Sequence, residues 1–88
     1  MYKAKPEFWE RYHRLPPAIQ KLADRKFELL KENPRHPSLE LQKVGEWWRA
    51  KVSDNYRALA FEHEEGLIWF WIGDHDAYMS LIRRQRRR

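Results

Sequence analysis

Eighty-eight residues make one domain and not two, and a chain this short buries only about 60–65% of its unfolded surface, so each large aromatic weighs in the core. An aromatic content of 15% fits a folded chain, and the lack of Cys rules out a disulfide framework and a thiolate metal site. The net charge of +5 is uneven: residues 1–45 carry ten Lys/Arg against six Asp/Glu, residues 46–82 three against seven, and the terminal RRQRRR supplies five cations. The body is therefore near neutral, which weakens any inference from a basic pI to nucleic acid.

The absence of an apolar run of membrane-spanning length, and of a signal-like apolar start, leads to the expectation of a cytoplasmic protein without a membrane partner. A single domain is expected over residues 1–82, followed by a flexible basic tail at 83–88. Tyr2, Lys3 and Ala4 suggest a minimal strand before Pro6. Phe8, Trp9 and Tyr12 then share one helical face, and Leu15-Pro16-Pro17 breaks that helix. Pro17 suits the first turn of a second helix, whose stripe is Ile19, Leu22, Ala23, Phe27 and Leu30 and whose stop is Asn33-Pro34. Residues 6–33 thus predict a helical hairpin with one apolar side.

Leu39 and Leu41 alternate with Glu40 and Gln42, predicting a first strand up to Val44, and Gly45 turns the chain. Over residues 47–52 the period of two sets Trp48, Ala50 and Val52 on one face and Trp47, Arg49 and Lys51 on the other. Ser53, Asp54 and Asn55 predict a turn into a strand over residues 56–62 that starts near Arg57. Glu64-Glu65-Gly66 predicts a hairpin, LIWFWI over residues 67–72 a central strand apolar on both faces, and Gly73 its end. Asp74 or Asp76 is placed to cap a last helix with Tyr78, Leu81 and Ile82 inward. The fold class is α+β: a two-helix hairpin on a small twisted antiparallel meander, closed by a short C-terminal helix.

Three phrases in this order, LPPAIQKLADRKFELLKENPRHPSL, WWRAKVSDNYRALAF and IGDHDAY, resemble the RelE/ParE superfamily of toxins from bacterial type II toxin–antitoxin systems, over about residues 6–82. The resemblance implies a cognate antitoxin as partner. It further implies a choice of activity: ribosome-dependent, metal-independent mRNA endonuclease, or the gyrase-binding action of the ParE branch. A non-toxic member acting as a binding module is the third possibility. By the same resemblance Arg49 and Lys51 match the paired cations of RelE-type enzymes, Arg57 the Arg after the turn, and His75 the C-terminal His of YafQ-like members. Lys51 stands where the YafQ-like branch has a His.

Metal-free RNA cleavage needs a base for the 2′-hydroxyl, an acid for the leaving 5′-oxygen and cations around the phosphorane. His75, just past the central strand, is the candidate acid or base, since histidine is the side chain suited to proton transfer near neutrality. Arg57 offers a planar fork for phosphate. Lys51 is a second acid/base if burial or neighbouring cations lower its pKa, and otherwise a phosphate clamp beside Arg49. Trp47, on their face, is the candidate for stacking a base, whereas Trp69 and Trp71 belong to the core. Each has a structural alternative: His75 bonded to Asp74 or Asp76, Arg57 paired with Glu62 or Glu46, Arg49 and Lys51 on a merely solvated face. His13, His36 and His63 lack partners at ligand spacing and are assigned to surface and loops, so no metal or cofactor is expected.

Overall fold

Proline placement sets the helix boundaries. In the computed structural model, which describes residues 3–64 and 66–86, Pro6 opens α1 (Pro6–His13) and Pro17 opens α2 (Pro17–Glu32). Neither first-turn position needs an N–H. Gln20 Nε2 donates to the Leu15 carbonyl at 3.1 Å and ties the corner between the two helices. Before them lies β1 (Lys3–Ala4), with Tyr2 outside the described residues. After them come β2 (Gln42–Val44), β3 (Trp47–Ser53), β4 (Tyr56–His63), β5 (Gly66–Asp74) and α3 (His75–Arg86).

The sheet order is β1-β5-β4-β3-β2. The β2–β5 meander is antiparallel as expected, but β1 pairs parallel with β5, Lys3 opposite Ile68 and Ala4 opposite Trp69. The sheet is therefore mixed, and β5 gains a neighbour on its outer side. β2 starts later than the alternation of Leu39 and Leu41 predicts. Pro37–Leu39 instead forms a 3₁₀ turn, in which the His36 ring accepts from Ser38 N–H, and Glu40 takes a left-handed φ of 44° that excludes a strand. Leu39 still reaches the core, only 1% exposed.

Each face of the sheet has its own core. On one, Ala50, Val52, Ala58, Ala60, Trp69 and Ile72 meet Phe8, Leu15, Ala23 and Leu30 of the helical hairpin. Three of those strand residues are alanines, and their short side chains leave room for Phe8 and Leu30 to descend onto the sheet. On the other face Leu59 and Trp71 lie beneath Tyr78 and Ile82 of α3, with Trp47, Phe70 and Leu81 around them. This double covering explains why LIWFWI is apolar throughout.

A β-bulge divides that run. Leu59 pairs with Trp71 while Ala60 pairs with Trp69, leaving Phe70 as the extra residue. Simple alternation sets Trp69 and Trp71 together; the bulge sends Trp69 to the hairpin core and Trp71 to the α3 core. Beyond it the strand runs through Gly73, where a Cβ would lie 2.6 Å from the Trp71 ring, so only glycine fits beside that indole.

Asp74 starts α3: its Oδ1 accepts from Ala77 N–H at 2.8 Å. An Asp74→Ala variant is expected to lose about 1 kcal/mol of stability, the usual worth of such a cap, seen as a lower thermal midpoint. The far end of α3 is held too. Gln85 Oε1 accepts from Glu46 N–H at 2.9 Å, in space left open because Gly45 has no side chain. Residues 83–86, expected in the flexible tail, are consequently helical; residues 87 and 88 lie outside the described part. Among the described residues no helix is long and apolar enough to cross a membrane.

Exposed polar groups lace β2, β3 and β4 together. Glu62 accepts from Trp48 Nε1 at 2.7 Å and pairs with Lys43 at 3.5 Å. The indole bond first, and the Lys43 charge second, hold its carboxyl below the usual 4.5. A depressed folded pKa stabilises the fold above 4.5, and the contribution is lost as pH falls through the folded value. Glu62→Gln is expected to remove this acid-limb loss, read as a smaller change in Trp48 fluorescence between pH 5 and lower pH.

Candidate functional site

The register of three strands assembles the site at one end of the sheet. Lys51 on β3 stands opposite Arg57 on β4, and Arg57 stands opposite Gly73 on β5. Such antiparallel neighbours have Cα atoms about 4.5–5.5 Å apart. Tyr56 stands opposite Asp74, and the next residue, His75, donates its N–H to the Asn55 carbonyl at 2.7 Å. Lys51, Arg57 and His75 therefore converge on the turn of residues 53–56, which the sequence places in separate elements.

Two like charges opposite each other on a ladder repel, and the structure shows what offsets this. Lys51 Nζ lies 3.2 Å from Glu40 Oε2 and 3.3 Å from Asp54 Oδ1. The hydrogen bond to Glu40, then that to Asp54, push the Lys51 pKa up. This direction runs against the lowered pKa that an acid/base role for Lys51 requires. Its raised folded pKa stabilises the fold below the usual 10.5, and that contribution is lost as pH rises through the folded value.

Arg57 is held differently from the ion pair with Glu62 or Glu46. Its Nη1 donates to the carbonyls of Ser53 at 2.6 Å, Tyr56 at 3.0 Å and Asp54 at 3.2 Å. One nitrogen thus closes the turn, and the described bonds of this side chain all leave from it. The guanidinium has two further donor nitrogens for a ligand.

Arg49 lies two residues from Lys51, about 6.6 Å along the strand. Its Nη2 donates to Gln42 Oε1 at 2.7 Å, and its Nε is buried without a partner among the described residues. His75 is exposed at the first position of α3, its ring 5.9 Å from that of Tyr78. Neither Asp74 nor Asp76 forms a described hydrogen bond to it; Asp74 is occupied in capping. Trp47 does not join the group. It is half-buried in the α3 core with its ring edge-on to Phe70 at 5.2 Å, and its four-residue separation from Lys51 is about 13 Å of strand.

The sequence pattern marks Asp54 and Asn55 only as turn residues and Glu40 only as a strand position. Asp54 had a signal, three residues after Lys51 across a predicted turn. Glu40 had none, because its approach to Lys51 depends on the left-handed backbone that replaces the expected strand. Lys26 borders the same region from α2. Its ammonium donates to the Ser38 carbonyl at 2.7 Å, and burial, aided by the Lys51 charge, lowers its pKa. Among the described residues no group of His, Cys, Asp and Glu is placed to hold a metal.

No protein-family model and no curated protein sequence matches the chain. Solved structures do. YafQ from E. coli strain BL21(DE3) superposes with a TM-score of 0.67 at 13% identity, over 89% of this chain and 96% of its own. The RelB-RelE antitoxin-toxin complex from Methanococcus jannaschii gives 0.68 at 15% identity, over 90% and 96%. The YoeB/ParE toxin from Agrobacterium tumefaciens gives 0.66 at 11% identity, over 84% and 96%. The chain accordingly has the fold of the RelE, YafQ and YoeB/ParE toxins.

Proposed function

We propose that this protein is the toxin of a type II toxin–antitoxin system and acts as a ribosome-dependent, metal-independent mRNA endonuclease. The observation that carries the reading is the convergence of the Lys51–Arg57 pair and His75 on one turn, in a fold shared with toxins. Arg57, through its two remaining donor nitrogens, and Lys51, as a fixed ammonium, hold the scissile phosphate. Arg49 contacts the neighbouring phosphate on the same face. His75 protonates the leaving 5′-oxygen as its bond to phosphorus breaks, solvent water takes the proton of the attacking 2′-hydroxyl, and the imidazole is reprotonated from solvent. The products are a 2′,3′-cyclic phosphate and a 5′-hydroxyl. Trp47 has no part, its ring being engaged beneath α3.

The partner that restrains such a toxin is a cognate antitoxin, supported by the antitoxin-bound structures among those of the same fold. An antitoxin segment covering the Arg49–Lys51 face blocks phosphate entry.

A second reading rests on the carboxylates of Glu40 and Asp54, which neutralise Lys51 and favour a gyrase-binding toxin without nuclease activity. Adding the purified chain to a translating extract and to a gyrase supercoiling assay separates the two. The nuclease reading expects mRNA cut only during translation and supercoiling untouched. Intact mRNA with supercoiling inhibited overturns it.

A further inference from the structure

The turn of residues 53–56 touches three of the candidates, Lys51, Arg57 and His75. The Asp54 carboxylate takes the Lys51 ammonium, the carbonyls of Ser53, Asp54 and Tyr56 take Arg57 Nη1, and the Asn55 carbonyl takes the His75 N–H. Three elements, β3, β4 and the start of α3, are thereby fastened to four consecutive residues. The ladder irregularity between Lys51 and Ser53 directly precedes the turn, so the strand register alone does not fix how the turn lies against α3.

We propose that this turn is the positioning element of the site, with Arg57 Nη1 as its clamp and Asp54 and Asn55 as positioning residues that set Lys51 and His75. Arg57 on this view has two duties. One nitrogen shapes the turn, and the other two, which make no described bond, are left to donate to a ligand. His75 is exposed and its ring has no described hydrogen bond, so its place is set by its backbone, and the Asn55 carbonyl is the contact that fixes that backbone from outside α3. A shift of the turn by a fraction of an ångström moves His75 relative to the two cations, which is the kind of displacement that catalysis registers strongly.

The consequence for rate rests on the endonuclease reading, whereas the geometry is testable without RNA. The full chain with Asp54→Gly and Asn55→Gly together loosens the turn and keeps Arg49, Lys51, Arg57 and His75. Amide hydrogen exchange of the free protein is expected to show His75 protection reduced about 10-fold, with Ile72 and Ile82 within about twofold of wild type as reporters of an intact fold. In cleavage assays kcat is expected to fall about 10-fold with KM within about twofold, because ground-state phosphate binding is retained. The conservative Asp54→Asn keeps a turn-forming residue and is expected to leave His75 protection within about twofold of wild type. Unchanged His75 protection in the double variant overturns the proposal, as does lost protection with unaltered kcat. Lost protection in Asp54→Asn equal to that of the double variant also overturns it, since a charge and not the turn would then hold His75. If wild type cuts no RNA, the endonuclease reading fails, and the exchange measurement alone decides whether the turn places His75.

Discussion

His75→Ala is expected to cut mRNA about 10²–10⁴-fold more slowly than wild type in a translating extract, the range that a positioned acid or base contributes. The fold should survive, because the imidazole is exposed and its ring has no described hydrogen bond; the contact that ties His75 to the turn is its backbone N–H. Circular dichroism and the thermal midpoint of the variant should match wild type closely. Arg57→Ala makes a telling contrast. It removes a phosphate donor and opens the turn at once, so both rate and stability should fall. Equal cleavage by His75→Ala and wild type would remove the imidazole from the chemistry.

Leu59→Ala is expected to destabilise the protein by about 2–5 kcal/mol. Leu59 is fully buried between the central strands and α3, beside Trp71 and beneath Tyr78 and Ile82. A domain of this size changes its midpoint by about 4–8 °C per kcal/mol, so thermal unfolding should show a loss of about 8 °C or more. The damage should be one-sided: near-ultraviolet signals of Trp71 and Tyr78 weaken before those of the helical hairpin, which packs on the opposite face. A midpoint within about 4 °C of wild type would mean that α3 contributes little to the core.

The helices were readable because their boundaries are written in covalent geometry. Pro6, Pro17 and Asn33-Pro34 act locally, and α1 and α2 begin and end where these residues require. The pairing of Lys51 with Arg57 was not readable in the same way: a regular ladder from Ser53 opposite Tyr56 would set Val52 opposite Arg57, and the irregularity between Lys51 and Ser53 shifts the register by one. What escaped depends on how the chain curls in space, nearby as well as far along the sequence. Arg57 is held by turn carbonyls and not by the carboxylates a charge count suggests, an outcome decided by the curl of residues 53–56. The helical state of residues 83–86 depends on Gln85 reaching Glu46, thirty-nine positions earlier. An arginine-rich ending alone suggests disorder. Glu40 likewise needed the three-dimensional path of the chain to become a neighbour of Lys51.

The bulge at Phe70 restricts how this chain can change through evolution. It lets one apolar run serve two cores, and it does so by being one residue out of step with β4. Deleting any single residue between Leu67 and Phe70 would remove that offset and change which side chains pair with β4. Substitutions that keep size and apolar character are tolerable there, but single-codon insertions and deletions are not. Descendants of this protein should therefore vary in length at the loop between the 3₁₀ turn and β2, or beyond α3, while the spacing from Leu59 to His75 stays constant.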